Sequence, residues 1–213
     1  MKRLFIILLS AGSIATAKAQ QNVSLGPTVG FGHSWVSGIN GDQKFHPSYN
    51  IGASLVYSPN AHWGFGADLK YSREGAKKAA SVNDNAPTTS INFDYLRIPL
   101  KAYYFFGNYG DAIRPKVALG PTLGFMLGAN STYDDNNHET TTDVKDAYKT
   151  FDIGLQGSAG LNFRVARNTW LNTDVTYYHG LADIRKAATN SVYNRNIGVN
   201  VGLTFGVGTY VEK

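Results

Sequence analysis

Two histidines have neighbours that come close to the arrangement of an acyl-transfer enzyme. His33 is followed directly by Ser34, and His179 lies two residues before Leu181. Such chemistry needs a histidine within hydrogen-bonding distance of the hydroxyl that it activates. On an extended strand, adjacent side chains point to opposite faces, so Ser34 points away from His33, and the residue that shares a face with His179 has no hydroxyl. The pattern therefore predicts no catalytic residue.

Oxygen ligands that a hard cation could use are concentrated in one acidic segment. Calcium prefers such ligands, but the segment lacks the glycine that a twelve-residue calcium loop needs at its sixth position. There is also no cysteine to bind a soft metal. We expect a solvated acidic loop, with no metal and no cofactor. The residues are Asp134, Asp135, Asn136, Asn137, His138, Glu139, Asp143 and Asp146.

Nine other charged residues share a different setting, because most of them have an apolar residue on either side. If all nine face one enclosed space they must be paired, since an unpartnered buried charge is costly. We expect a paired network that fills a lumen, and the surplus of bases leaves a narrow anion path as the alternative. The nine are Asp68, Lys70, Arg97, Lys101, Arg114, Lys116, Asp152, Arg164 and Asp174.

The elements that carry these residues are strands, because apolar and polar residues alternate along the chain. The clearest case is the segment 196–207, where every odd position is apolar and every even position is Asn, Gly or Thr. The same alternation recurs often enough to predict eight strands. Their approximate bounds are 23–35, 49–58, 63–71, 90–106, 113–128, 151–164, 171–181 and 196–207.

The fourth segment contains an irregularity. Leu96 and the even residues after it form an apolar face, but Phe93 and Asp94 do not fit that alternation. We expect either a β-bulge at this point or a strand that continues beyond a membrane.

The connections between the segments alternate in length. Four long ones span about 36–47, 75–89, 130–149 and 182–194, and three short ones span about 59–62, 107–112 and 166–169. Long loops on one side and short turns on the other are typical of outer-membrane barrels. The even number of strands places both termini on the short-turn side, which is periplasmic in such barrels.

Alternation alone leaves open which face points outward, and a soluble eight-stranded barrel is the rival fold. The polar face consists mostly of Gly, Ser, Asn and Thr, whereas a wall facing water would carry more charge. Small residues suit a crowded interior, where Gly makes room for Arg and Tyr. We therefore predict an all-β, eight-stranded antiparallel up-and-down transmembrane barrel.

Aromatic residues near the strand ends support the membrane interpretation, because such residues form belts at both membrane interfaces. One predicted belt lies beside the short turns and the other near the long loops. The nine predicted belt residues are Trp35, Tyr49, Tyr57, Trp63, Tyr71, Phe106, Phe151, Trp170 and Tyr177.

The N-terminal residues predict export. Lys2 and Arg3 precede the apolar stretch 4–14, which is too short to span a bilayer, and Ala17-Lys18-Ala19 fits a signal-peptidase site. We expect a signal peptide at 1–19 and one barrel domain at 20–213. The net charge of +5 includes three bases of this signal, so the mature chain would carry +2. With no basic stripe either, nucleic acid is not an expected partner.

Several motifs resemble those of the PorT-like outer-membrane β-barrel family of Bacteroidetes. They are FDYLRIPLKAYYF at 93–105, RPKVALGP at 114–121, FDIGL at 151–155 and YHGLAD at 178–183. The resemblance covers nearly the whole mature chain and implies the barrel fold. The founding member is associated with a secretion system, and most other members have no assigned activity.

Three functional hypotheses follow. The first is a non-enzymatic barrel that displays four extracellular loops in a structural, adhesive or accessory role. The second is assistance to protein secretion, or transport through a narrow pore, and the third is a lipid-modifying enzyme. The expected partners are lipopolysaccharide and phospholipid of the outer membrane, the barrel-assembly machinery, and a secretion complex or a loop partner outside the cell.

Overall fold

The computed structural model describes residues 22–38, 43–80, 86–108, 110–135, 137–186 and 190–207. Within them the chain forms ten β-strands and one 3₁₀ turn at Lys145–Ala147. The predicted signal peptide lies outside the described residues. No helix of the described part is long and apolar enough to span a bilayer. The strands are β1 (Val23–Ser37), β2 (Gln43–Lys44), β3 (Pro47–Tyr57), β4 (Trp63–Ala79), β5 (Thr88–Phe105), β6 (Ile113–Asp134), β7 (Glu139–Asp143), β8 (Phe151–Ala166), β9 (Thr169–Gly180) and β10 (Tyr193–Val207).

Eight of these strands close into a barrel, which confirms the predicted fold class. Each pairs antiparallel with its neighbours in the chain order β1, β3, β4, β5, β6, β8, β9, β10. The ring is closed by β1 and β10, whose register runs from Val23↔Val207 to Ser37↔Tyr193. Closure leaves the barrel wall without a free edge, so its backbone polar groups are paired within the wall.

The alternation of the sequence becomes a wall with two different faces. Phe31 on β1 and Leu119 on β6 point outward and are each 62% exposed. Asn200 and Thr204 on β10 point inward and are buried. Large apolar side chains that cannot be buried inside so narrow a barrel therefore cover the surface that faces lipid.

The connections follow the predicted lengths. Short turns join β3 to β4, β5 to β6 and β8 to β9, and the longer connections lie at the opposite end. We call these the short-turn end and the long-loop end. The strands β1 and β10 meet the short-turn end at Val23 and Val207.

On one side of the barrel the wall continues past its neighbours at the long-loop end. The upper parts of β4, β5 and β6 extend beyond the points where β3 and β8 stop pairing, at Arg73 and Phe125. The short strands β2 and β7 add to β4 and β6, so this projecting sheet has the order β2-β4-β5-β6-β7. All five residues of β7 are exposed.

The irregularity predicted near Phe93 and Asp94 belongs to the neighbouring strand. On β5 the odd residues from Phe93 to Phe105 stay on the inner face without interruption. The pairing with β6 shifts instead, because Asp94 faces Gly128 whereas Tyr95 faces Met126. The extra residue is therefore on β6, and Phe93 is apolar because it points into a second core.

That second core closes the long-loop end of the lumen. A buried apolar cluster, here called the loop plug, joins inward residues of β1, β5 and β6 to residues of the two longest loops. Ile184 and Val192 from the last loop are at most 1% exposed, and Tyr148 from the loop before it contacts Phe93 edge to face at 4.8 Å. The plug consists of Val36, Phe93, Tyr95, Met126, Ala129, Tyr148, Ile184 and Val192.

Candidate functional site in the barrel lumen

Directly below the loop plug, Arg97 links two buried carboxylates. Its Nε and Nη2 donate to the two oxygens of Glu74, at 3.1 and 2.7 Å. Its Nη1 donates to Asp152 Oδ2 at 2.7 Å. The guanidinium also lies over the rings of Tyr95 and Tyr178, at 4.0 and 4.5 Å. The two carboxylates therefore neutralise this cation, and the hydrogen bonds and the two rings hold it in one orientation.

Two polar side chains join Arg97 at one oxygen of Asp152, a residue that has no exposed surface. Tyr178 donates its hydroxyl to Asp152 Oδ2 at 3.0 Å, and Asn194 donates its amide to the same oxygen at 2.9 Å. Asn194 also donates to the hydroxyl of Tyr95 at 3.0 Å. These side chains, together with Arg97 and Glu74, are here called the upper network. They connect β5, β8, β9 and β10 across the lumen.

Glycines on the inner face make space for these large groups. A Cβ on Gly124 would collide with the guanidinium of Arg97, and a Cβ on Gly154 would collide with the ring of Tyr178. The inner face is rich in glycine because a narrow lumen has to hold arginine and tyrosine side chains next to one another.

A second group of ion pairs fills the middle of the lumen. Asp68 Oδ2 accepts from Lys101 at 2.6 Å and lies 3.2 Å from the ammonium of Lys70. Lys116 pairs with Asp174 at 2.9 Å. Small voids of about 30 and 40 Å³ lie among these side chains, enough for only a few water molecules.

The structure brings seven of the nine sequence-predicted charges into these two networks. The structure adds Glu74, which lies beyond the predicted bounds 63–71 of its strand. Glu74 occupies an even position of the same strand, as Asp68 and Lys70 do, and even positions face inward. The alternation, extended by a few residues, therefore predicts Glu74 on the inner face. The two predicted residues outside the networks are Arg114 and Arg164, which lie at the short-turn end.

The lumen opens at the short-turn end into a cavity of about 140 Å³, here called the mouth. Arg114 is buried in its wall, where the guanidinium contacts the carbonyl of Ala61 and lies 4.8 Å from the ring of Phe105. Arg164 was expected in the buried network, but it is exposed at the rim because β8 ends two residues later.

At the short-turn end, three of the four predicted belt residues point outward. Tyr57, Trp63 and Phe106 are exposed, and Tyr104 packs edge to face against the last two at 5.2 and 5.0 Å. Trp170 departs from the expectation, since it lines the mouth. The even residues of β9 point inward, and a tryptophan at position 170 follows that rule.

At the long-loop end, Tyr49, Phe151 and Tyr177 are exposed, whereas Trp35 and Tyr71 are half-buried. Tyr71 donates its hydroxyl to Asp94 at 2.7 Å. The ring of Trp35 belongs to a row of stacked aromatic side chains on the outer wall.

The two histidines considered for catalysis lie in or beside that row. His33 is stacked between Trp35 and Phe45, with ring centroids 5.2 and 5.0 Å away. The Nδ1 atom of His179 lies 3.3 Å from the hydroxyl of Tyr177. Among the residues that the structure describes, neither ring is hydrogen-bonded to a serine.

The acidic segment, expected as a loop, lies mostly in regular structure: Glu139 and Asp143 lie on β7 and Asp146 in the 3₁₀ turn, while Asp135 lies between β6 and β7. The backbone N–H groups of His138 and Asn137 donate to Asp135 Oδ1 at 2.6 and 3.0 Å, and they hold the pKa of Asp135 below its usual value. Among the residues that the structure describes, no group of three or more His, Asp or Glu side chains could hold a metal ion.

Comparison with known families identifies the barrel. Residues 18–186 match the family described as outer membrane protein beta-barrel domain. The chain belongs to this family. As a member of the outer-membrane barrel family, it is located in the outer membrane. None of the curated proteins matches the chain in sequence.

Solved structures show the same architecture for this family member. Neisserial surface protein A has a TM-score of 0.50 at 16% identity, over 85% of this chain and 96% of that one. OprG from Pseudomonas aeruginosa has a TM-score of 0.54 at 14% identity, over 88% of this chain and 96% of that one. At such low identity the likeness concerns the fold alone.

Proposed function

We propose that this protein is a closed, non-enzymatic outer-membrane barrel that acts through the surface of its long-loop end. The observation that carries the proposal is the double closure of the lumen. Arg97 and its carboxylates fill the cross-section, and the loop plug covers them. A path for ions would have to cross both layers, and the voids among the ion pairs hold only a few waters.

Planar-bilayer recording tests the closure. The refolded protein is expected to insert without steady, reproducible conductance, because the described side chains leave only small voids among the ion pairs. A stable anion-selective conductance would overturn the proposal and favour the narrow-pore alternative. As a matched check that insertion took place, the same samples should migrate differently on a gel before and after boiling, as folded barrels do.

The orientation is part of the proposal, with the short turns in the periplasm and the long loops outside the cell. The chain has no cysteine, so single substitutions provide clean labelling sites. A membrane-impermeant maleimide applied to intact cells should label Thr141→Cys on β7 and leave Asn108→Cys in a short turn unlabelled. Labelling in the opposite pattern would reverse the assignment.

The projecting sheet is the surface that we expect to meet a partner. Its outer strand β7 is fully exposed and holds three consecutive threonines, Thr140 to Thr142, with no proline or lysine to block pairing. An edge of this kind can accept a further strand through its backbone. The proposed role is therefore adhesive or accessory to a membrane complex.

Membership of the narrower PorT-like group, with a role in secretion, is the second candidate, favoured by the motifs at 93–105 and 114–121. Co-purification from native membranes separates the two. A stable complex with secretion components would favour the second candidate, and a monomer without them would favour the first. Replacing Thr141 by proline should disrupt a complex that forms through the β7 edge, whereas Asn108→Ser is the control at the other end.

A further inference from the structure

Arg73 and Arg195 both lie on the outer wall near the long-loop end, but their surroundings differ. Arg73 on β4 lies 3.9 Å from the carboxylate of Asp94. Arg195 on β10 forms no salt bridge with any of the described residues. Its Nη1 donates instead to the backbone carbonyls of Gly180 and Asn194, at 2.7 and 2.9 Å. The guanidinium of Arg195 is therefore held in position, but no carboxylate of the described residues neutralises it.

Hydrogen-bond donors flank Arg195 on the same face of the wall. Trp35 on β1 and His179 on β9 are its direct neighbours across the strands. The indole N–H of Trp35 can only donate. The ring of His33 stacks on that of Trp35, with centroids 5.2 Å apart. These four side chains are here called the donor strip, which consists of His33, Trp35, His179 and Arg195.

The hydrogen bonds of His33 indicate which of its nitrogens carries the proton. The backbone N–H of His46 donates to Nδ1 of His33 at 3.1 Å. The carbonyl of His46 lies 3.2 Å from the same nitrogen, but it already accepts from the backbone N–H of Ser34 at 3.0 Å. Because Nδ1 acts as an acceptor, the neutral imidazole carries its proton on Nε2. His33 therefore adds a further N–H donor to the strip.

The strands around the strip provide no outward carboxylate in their described residues. The one acidic residue of β1, β3, β9 and β10 is Asp174, and it points into the lumen, where it pairs with Lys116. A surface that combines an arginine with several N–H donors and has no carboxylate is complementary to an anion.

The position of the strip on the wall indicates what kind of molecule carries the anion. Next to the strip and farther from the loops, Phe31 on β1 and Ile197 on β10 are exposed on the lipid-facing surface. Phe45, which is also exposed, covers the other face of His33, with ring centroids 5.0 Å apart. An anion bound at the strip therefore lies at the edge of the lipid-facing wall, at the level of the lipid headgroups.

We propose that the donor strip binds the phosphate group of a membrane lipid, whose acyl chains lie along β1 and β10. The forked N–H groups of arginine match the oxygens of phosphate. Backbone carbonyls already hold the guanidinium of Arg195, so it loses little freedom on binding. Trp35 and His179 flank it on the two neighbouring strands. This site is independent of the role proposed for β7 and of the orientation of the barrel.

Quenching of tryptophan fluorescence by a brominated lipid measures binding at the strip, because Trp35 belongs to it. Replacing Trp63 and Trp170 by phenylalanine leaves Trp35 as the only tryptophan of the chain, and replacing Trp35 and Trp170 leaves Trp63 at the short-turn end as the matched control. Each refolded variant is placed in phosphatidylcholine nanodiscs with an increasing fraction of phosphatidic acid that has brominated acyl chains. We expect half-maximal quenching of Trp35 at a fraction about tenfold lower than for Trp63, as a charge-assisted contact to phosphate would give.

Substitution of Arg195 decides the assignment. In the protein with Trp35 alone, Arg195→Gln should remove the preference for phosphatidic acid. Arg73→Gln is the matched control, because it removes a cation that already lies beside Asp94, and it should leave the preference unchanged. Should Arg195→Gln fail to fold on the boiling assay, His33→Phe gives the test in its place, since it keeps a stacked ring, loses the Nε2 donor and should lower the preference.

Three results would overturn the proposal. One is equal quenching of Trp35 and Trp63, which would indicate an unselective interface. Another is a preference that persists in Arg195→Gln, or in His33→Phe where that variant takes its place, or that falls equally in Arg73→Gln. The third is equal quenching of Trp35 by a brominated fatty acid at the same surface charge, because a carboxylate would then replace the phosphate and the strip would respond to negative charge alone.

Discussion

The two ends of the lumen differ in how their charged side chains are arranged. Toward the long loops, every carboxylate of the networks is paired, and an apolar plug excludes water above them. Toward the short turns, three arginines surround a cavity whose described lining has no carboxylate. The same narrow barrel thus combines a neutral, filled segment with a charged, open one.

The difference shows which part of the interior is structural. A network of paired charges holds strands together and leaves little room for a ligand. At the other end, the mouth leaves a cavity of about 140 Å³. The filled segment is therefore the one in which substitutions should cost the most stability.

The largest expected effect comes from breaking the upper network. Arg97→Met leaves Glu74 and Asp152 buried without their cation, and should cost about 3–5 kcal/mol in the free energy of unfolding. Guanidinium unfolding from lipid vesicles measures it. The matched control is Arg164→Met at the mouth, which should change stability by less than about 0.5 kcal/mol.

Equal losses of unfolding free energy in these two variants would show that the two ends of the lumen do not differ in their contribution to stability. The cause can be checked by adding Glu74→Gln and Asp152→Asn to Arg97→Met. Neutralising the two orphaned carboxylates should recover part of the lost stability, because the main cost is the uncompensated charge.

A smaller effect is expected from removing the space that Arg97 occupies. A Cβ on Gly124 meets the guanidinium, which two ion pairs hold in place, so Gly124→Ala should destabilise by about 1–3 kcal/mol. Gly157→Ala on β8 is the control, since the nearest atom to its added Cβ is 3.9 Å away. If both variants unfold at the same guanidinium concentration, crowding around Arg97 is not the reason for the glycine.

The barrel could be predicted from the sequence because a single rule, the alternation of inward and outward side chains along each strand, determines its two faces. Alternation places Asp68, Lys70 and Arg97 on the inner face and Phe31 on the outer one, whatever their partners are. The same rule, applied without exception, assigns Glu74 and Trp170 to the lumen, where the structure places them. Glu74 lies beyond the predicted end of its strand, and Trp170 was assigned to a belt because it lies beside a short turn.

The loop plug could not be predicted in the same way. Ile184 and Val192 lie in a loop with no periodic pattern, and they are buried only because the chain folds back over the barrel. The mouth could not be predicted either, since Arg114 lies at the start of β6 whereas Arg164 and Arg167 lie at the end of β8 and in the turn after it. Which charge pairs with which depends on shear and register, which alternation does not determine.

The plug itself can be tested by a modest truncation. Phe93→Leu removes part of a ring that is 1% exposed and packs against Tyr148, and should cost about 1–2 kcal/mol. Phe31→Leu makes the same change on the lipid-facing wall, where neighbouring lipid fills the space, and should cost less than about 0.5 kcal/mol. A larger loss at Phe31 than at Phe93 would show that the plug adds nothing to stability.

The smallest effect concerns the last loop, which supplies Ile184 and Val192 to the plug. The backbone N–H groups of Val192 and Arg185 donate to Asp183 Oδ1 at 2.9 and 3.1 Å, and they hold the pKa of Asp183 below its ordinary value. Because the folded pKa is the lower one, this contribution to stability is complete above about pH 3.9, the unfolded value, and is lost as the pH falls through the folded pKa.

Nuclear magnetic resonance of the protein in nanodiscs can follow this loop. The amide protons of Val192 and Arg185 should titrate together, with a midpoint below about pH 3.9. Asp183→Asn retains an acceptor but has no charge to lose, so its amide signals should stay constant over the same range. A midpoint at or above about pH 3.9 would mean that the loop does not depend on the ionised carboxylate. Closure at this end would then rest on the apolar plug and on backbone hydrogen bonds such as that from Ile184 to the carbonyl of Val192.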